Sequence, residues 1–172
     1  MLLLSLMTTP DEEASKRLRV KKSRNGKGIF TRVSLSQDEI IFTVVGKKIT
    51  FERLEKTGGK LLDNAFRYSK RFYLCPTGTG DFLNHSCGPN ARVVKHRGEL
   101  SIIAIKEINK NEEITIDYST ILAKDDPWRM DCNCGSENCR THVRAFHTIP
   151  RSLQRRYVTH RIVPSYILDL NV

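Results

Sequence analysis

Three cysteines crowd into Cys132-Asn133-Cys134-Gly135-Ser136-Glu137-Asn138-Cys139. Disulfides at this spacing would strain the backbone, so the segment reads as a thiolate metal site in a reducing compartment. Tetrahedral zinc takes four soft or borderline ligands, and a fourth donor must therefore come from elsewhere in the chain. A second dense stretch is Asp81-Phe82-Leu83-Asn84-His85-Ser86-Cys87-Gly88-Pro89-Asn90. It packs more polar side chains than a turn needs, although a polar loop whose Asn and His satisfy backbone groups has the same composition. Upstream, Asn25-Gly26-Lys27-Gly28-Ile29-Phe30 offers glycines that let main chain approach a ligand closely. Downstream, Asn111-Glu112-Glu113-Ile114-Thr115-Ile116-Asp117-Tyr118 ends on a phenol. Standing alone, such a tyrosine is usually a half-buried core residue with a satisfied hydroxyl.

The elements that must position these groups are short. The runs Leu18–Val20, Ile29–Val33 and Ile40–Val45 are rich in β-branched and aromatic residues, with glycine or polar breaks between them. Phe51, Leu54 and Lys56 ahead of Gly58-Gly59 predict a brief helix stopped by glycine. Ala91–Lys95 and Leu100–Ile105 flank His96-Arg97-Gly98-Glu99 as a hairpin, and Glu113–Tyr118 reads as another strand. Beyond a loop at Asp125-Asp126-Pro127, Leu153 and Tyr157 share a helical face, with Pro150 in the first turn of that helix. The fold class is therefore mainly β, of short antiparallel strands. With 172 residues and 39% hydrophobic content the chain suits one compact domain, with residues 1–15 as a loose leader.

Met1 to Met7 is apolar but lacks a basic flank, and no stretch approaches the ~20 apolar residues of a membrane span, so a soluble intracellular chain without a membrane partner is expected. The 29 Lys plus Arg against 19 Asp plus Glu give a formal charge of +10, which favours nucleic acid or acidic protein surfaces. The basic run Lys16, Arg17, Arg19, Lys21, Lys22 and Arg24 could hold phosphates, or could simply be the solvated face of an edge strand. Cys75, beside Pro76, reads as a buried free thiol.

Taken in order, the GxG turn, the NHSCxPN segment, EEITIDY and the CxCx4C cluster resemble the SET family of protein lysine methyltransferases, over roughly residues 18–140. The resemblance implies a SET fold with knot-like threading of the C-terminal motifs. Residues 16–120 would be the SET domain, 121–145 a post-SET zinc segment acting as a lid, and 146–172 a helical C-terminal extension. It also implies S-adenosylmethionine as cofactor, with the backbone of Gly26, Lys27 and Gly28 against its methionine part and Asn84 and His85 on its adenosine and amino-acid portions. Tyr118 matches the catalytic tyrosine at the transfer centre and would touch the cofactor too. In the lid, Phe146, like Trp128 and Tyr157, could stack on adenine or pack in the core. Cys87 would complete a zinc site with Cys132, Cys134 and Cys139. The substrate would be a lysine of a protein, in this family usually a histone, and a +10 enzyme would need a local acidic groove to take a basic peptide.

At the position that sets methylation degree stands Ile116, without a hydroxyl, and Val93 is equally apolar where some members carry a substitute tyrosine. The product implied is di- or trimethyllysine, unless Tyr68 or Tyr73 reaches the same space. This chain departs from the family at Asp81, often arginine, at Val44, often aromatic, and in a short segment from Gly46 to Asp81. A zinc-stabilised SET-like binding module without activity, or a basic nucleic-acid-binding protein, is the rival reading, and it has no need of Asn84, His85 and Tyr118 together.

Overall fold

The computed structural model describes residues 10–170. In chain order the elements are α1 (Pro10–Arg17), β1 (Leu18–Ser23), β2 (Gly26–Thr31), β3 (Ile40–Thr43), β4 (Gly46–Thr50), α2 (Phe51–Thr57), α3 (Gly59–Asp63), β5 (Phe66–Arg67) and β6 (Phe72–Pro76). They continue with β7 (Asn84–His85), β8 (Ala91–His96), β9 (Glu99–Ala104), β10 (Thr115–Ile116), β11 (Met130–Asp131), β12 (His142–Val143), α4 (Arg151–Thr159) and α5 (Ser165–Asp169). One-turn 3-10 helices span Gly78–Phe82, Tyr118–Ile121 and Phe146–Thr148.

Small sheets surround one main core. The β3-β9-β8 sheet supplies its centre, because period-two alternation buries Ala91, Val93, Leu100, Ile102 and Ala104 while Arg92 and Ser101 turn outward. Its hairpin closes through Arg97 and Gly98, both at positive φ, as a tight turn between right-twisted strands requires. In the β4-β6-β5 sheet, β6 is buried from Tyr73 to Pro76, and Cys75 is the buried free thiol expected. Gly46 is needed there, since a Cβ would sit 2.1 Å from the Cys75 carbonyl oxygen. A second cluster of Phe146, Ile149, Tyr157, Ile162, Val163 and Ile167 joins the C-terminal helices to the rest.

Three local expectations change. Residues 10–15, read as loose leader, lie in α1, where Ala14 is buried in the main core beside Leu18 and Arg17 pairs with Glu39; residues 1–9 lie outside the described residues. The strand expected over Glu113–Tyr118 keeps only Thr115 and Ile116, because Tyr118 already opens a 3-10 turn capped by Asp117, whose side chain accepts the Ser119 amide. That strand is also parallel to its partner β7, in a molecule whose other strand pairs are antiparallel among the described residues. The C-terminal tail folds as two helices rather than one.

Candidate active site

The register of β7 on β10 sets Asn84 against Thr115 and His85 against Ile116, which carries both polar residues to within reach of Tyr118. Strands of two residues hold little by themselves. Asn90 adds what the ladder lacks: its amide donates to the Glu113 carbonyl (2.7 Å) and the Glu112 carboxylate (3.0 Å), and its side-chain oxygen accepts the Thr115 amide (2.9 Å). The glycine turn joins through Asn84, whose Nδ2 donates to the Lys27 carbonyl (3.0 Å) and to Glu113 Oε1 (2.7 Å). Glu113 also accepts from Ser23 Oγ at 2.8 Å. Gly28 lies under this group, and a Cβ there would meet Glu113 Oε1 at 2.0 Å and Asn84 Nδ2 at 2.8 Å. Glycine at residue 28 is thus a packing requirement of the site.

Tyr118 stands between two cavities. One is a polar cleft of about 450 Å³ lined by Asn25, Asn84, His85, Arg129, Asp131 and Asn133, a size typical of small-molecule sites. The other is a narrow cavity of about 30 Å³, walled by Phe51, Phe66, Leu83, Ile121, Leu122 and Pro127. Tyr118, Trp128, Asp63 and Asn64 line both. The Tyr118 hydroxyl donates to the Leu83 carbonyl, and its ring centroid lies 5.4 Å from that of His85 and 5.9 Å from that of Trp128. Burial first, and the Glu113 charge second, push its phenol above the ordinary tyrosine value, so it stays a proton donor. Three carboxylates also face the narrow cavity: Asp63, Asp81 and Asp126. Asp81 pairs with Lys60 and Asp126 with Arg67, while Asp63 accepts from Trp128 Nε1 at 3.1 Å.

His85 faces two ways. Its Nδ1 accepts the Tyr118 amide (3.1 Å), and burial, opposed by the Asp117 carboxylate, holds the imidazole down to about 4. The neutral ring therefore carries its proton on Nε2, which points at Cys87 Sγ 3.3 Å away. Around that sulfur the cysteines converge. Cys87 and Cys132 are 3.8 Å apart, which matches the roughly 3.8 Å edge of a tetrahedron with metal–sulfur bonds of about 2.3 Å. The tightest donor group is His85, Cys87, Cys132 and Cys134, whose ligand atoms all lie within 4.8 Å of one another. Cys139, expected as a ligand, is outside that group but adjacent: its thiol contacts those of Cys132 and Cys134 and the Cys132 carbonyl (3.6 Å). Burial opposes ionisation at Cys134, yet the amides of Cys87 and Ser136 draw its thiol down to about 7. The donor chemistry fits a thiolate-binding metal.

One partner was not legible in advance. Asp117, wholly buried, takes both guanidinium arms of Arg140 at 2.7 Å, the Tyr157 hydroxyl at 3.0 Å and the Ser119 amide at 3.0 Å. It thereby ties the cysteine loop and α4 to the residue preceding Tyr118. Glu113 was equally unassigned, although it stands inside a quoted motif. Phe146 is not brought to the cleft: its ring is buried with Ile149 and Tyr157, because the 3-10 turn carrying it packs on the C-terminal helices. Trp128, by contrast, does line the cleft.

A phenol shared by a polar cleft and a narrow cavity, beside a thiol cluster, marks the candidate site of this small-sheet β fold. The model of the SET domain family matches residues 26–119, and the chain belongs to that family. It is 32% identical over 126 residues to the H3 lysine-4 specific histone-lysine N-methyltransferase of Saccharomyces cerevisiae, covering 66% of this chain and 12% of that protein. It is 29% identical over 164 residues to histone-lysine N-methyltransferase ASHR3 of Arabidopsis thaliana, covering 83% of this chain and 32% of the relative. The chain thus spans a third or less of these relatives' lengths. The methyltransferase domain of human histone-lysine N-methyltransferase SETMAR shares the fold, with a TM-score of 0.61 at 23% identity over 74% of this chain and 58% of that one.

Proposed function

We propose that the protein transfers methyl groups from S-adenosylmethionine to the side-chain amine of a lysine in a protein substrate, a histone or another basic protein, and carries it to di- or trimethyllysine. The observation that carries this reading is Tyr118 as the shared wall of a polar cleft and a narrow, largely apolar cavity. The cleft suits the cofactor: Asn84 and His85 would hold it, with the Gly26, Lys27 and Gly28 backbone against its methionine part. The narrow cavity suits a lysine side chain. When bound, the cofactor supplies an electrophilic methyl group and a thioether leaving group.

The protein's task is then to present a neutral amine in line. A lysine of reference pKa ~10.4 is free base at the level of about 0.1% at neutral pH, a handicap of about 4 kcal/mol. Desolvation among Phe51, Phe66, Leu83 and Leu122 lowers that pKa, and the Tyr118 hydroxyl orients the nitrogen. Of the three lining carboxylates, Asp81 and Asp126 are already paired with Lys60 and Arg67, which leaves Asp63 to attract a cationic side chain to a protein that is otherwise strongly basic. Asp81, the departure from the family's usual arginine, lines the cavity with its charge met by Lys60.

The degree of methylation follows from hydroxyls. Ile116 and Val93 are fully buried and have none. Tyr68 directs its hydroxyl to the Gly98 carbonyl, away from the cavity lining, and the Tyr73 hydroxyl is engaged by Asp126 and by Arg67 (2.7 Å). Tyr73 does line the narrow cavity, but with its hydroxyl engaged in this way, Tyr118 is the remaining tyrosine there whose hydroxyl faces the amine among the described residues.

In the same reading one zinc is held by Cys87, Cys132, Cys134 and Cys139. His85, its Nδ1 occupied, serves by donating Nε2–H to the Cys87 sulfur, and such outer hydrogen bonds fix ligand orientation. Residues 16–120 carry catalysis, 121–145 form the metal-tied lid and 146–172 a supporting extension. Free thiols favour a reducing compartment, cytoplasm or nucleus, and among the described residues no helix is long and apolar enough to cross a membrane. The test is methyl transfer from labelled cofactor to a lysate and to core histones, with calorimetry of cofactor binding beside it. Wild type should label protein and Asn84→Ala should bind cofactor at least tenfold more weakly; tight binding without any transfer would instead support an inactive module.

A further inference from the structure

Between Asn138 and Leu168 the chain carries six arginines and three histidines but no lysine, aspartate or glutamate. One arginine, Arg140, is spent on Asp117. The other five, Arg144, Arg151, Arg155, Arg156 and Arg161, are all exposed. Among the described residues Arg144, Arg151 and Arg155 have no ion-pair or hydrogen-bond partner for their side chains. The fold gathers them. His142 and Arg144 line two adjoining clefts of about 510 and 440 Å³, and the second continues over Thr148, Ile149 and Pro150 to the start of α4, where Arg151 follows. The single carboxylate lining either cleft, Asp131, is taken by His142 at 3.0 Å. Along α4 the 1.5 Å rise spaces Arg151 and Arg155 by about 6 Å, one turn apart on the same face of the helix.

We propose that this arginine face, formed by the β12 loop and α4, binds the phosphodiester backbone of nucleic acid without reading its sequence. Guanidinium groups match phosphate oxygens through two parallel hydrogen bonds, which suits a surface that uses arginine alone. A protein partner would need an apolar centre to its interface. Here Val158 is the one large hydrophobic exposed after Phe72 among the described residues, while Leu153 and Tyr157 turn into the core. The face is distinct from the basic β1 strand, where Lys21 lies over the Phe30 ring and Arg19 donates to Asn111.

The experiment is fluorescence anisotropy of the full chain with labelled 20-base-pair DNA and RNA duplexes across a salt series. Polyglutamate serves as competitor, and circular dichroism checks the fold of each variant. Replacing Arg144, Arg151 and Arg155 together by Gln should weaken binding at least tenfold near 0.1 M salt. It should also reduce the slope of log affinity against log salt by about 2 to 3, since each phosphate contact contributes about 0.9. Lys21→Gln with Lys22→Gln should retain most of the affinity. The proposal is overturned if the triple variant binds as wild type does, if the lysine pair carries the affinity instead, or if polyglutamate competes as well as DNA, which would indicate an acidic protein as partner. Because binding is measured without cofactor or substrate, the result is independent of whether methyl transfer is observed.

Discussion

Tyr118 is held at its backbone amide by His85 Nδ1, at its hydroxyl by the Leu83 carbonyl and at its ring by the rings of His85 and Trp128. Tyr118→Phe should therefore keep cofactor affinity within about threefold while methyl transfer falls at least a hundredfold, a contrast that calorimetry and single-turnover labelling resolve together. Its phenol is pushed upward by burial and by Glu113, so it remains protonated where the substrate amine loses its proton. The turnover rate should climb with pH until the bound amine is neutral and then level off; a fall between pH 9 and 10 that Tyr118→Phe abolishes would contradict the upward direction. Ile116 is fully buried beside this group, and Ile116→Tyr should shift the exhaustive product toward monomethyllysine by mass spectrometry, at about 1–3 kcal/mol of stability from overpacking. A wild-type product that stops at one methyl group would remove the basis for the hydroxyl argument.

Between residue and domain, the lid depends on elements too short to stand alone. β11 and β12 pair over two residues each, and Leu122, Val143 and Ala145 pack them against Tyr118 and Trp128. An isolated two-stranded hairpin is marginal in water, so the cysteine cluster must supply much of the order. We expect one zinc per chain by elemental analysis of protein purified under reducing conditions. Chelation should speed tryptic cleavage at the exposed Arg129 and Arg144 while the β8-β9 hairpin keeps its amide protection, because that hairpin is buried by Leu100 and Ile102 independently of the metal. Simultaneous loss of protection in both regions would show the lid and the core to be one cooperative unit.

At the scale of the whole molecule, Arg67 joins parts remote in sequence. Its buried guanidinium contacts Asp126 (3.0 Å), Asp125 (2.9 Å), the Tyr73 hydroxyl and the Ser69 and Lys70 carbonyls, while its own carbonyl accepts from Tyr166 on α5. Asp125 still faces Arg67 when Asp126 is removed, so Asp126→Ala should cost less than the loss of a sole partner, about 2–3 kcal/mol in urea unfolding. A loss under 1 kcal/mol would mean that water reaches Arg67 in the variant. Since Asp126 also lines the narrow cavity and engages Tyr73, the same variant should alter the product distribution.

Local chemistry was legible from residue order alone. Glycine turns, the cysteine spacing and the alternation of the β8-β9 hairpin follow from short-range sterics and period-two burial, and Asn84, His85 and Tyr118 stand out by the motifs around them. The parallel pairing of β7 with β10 was not legible, because two-residue strands carry no periodic signal. Nor was α1, whose polar composition hides the burial of Ala14. The ring of Phe146 could have faced cofactor or core, and only the packing of the C-terminal helices decided for the core. Asp117 meeting Arg140 and Tyr157, Glu113 beneath Asn84, and three carboxylates around one cavity all join residues tens of positions apart. Sequence spacing fixes which donors and acceptors exist; the tertiary structure decided which of them meet, because a buried polar group must find its partner wherever the folded chain brings one.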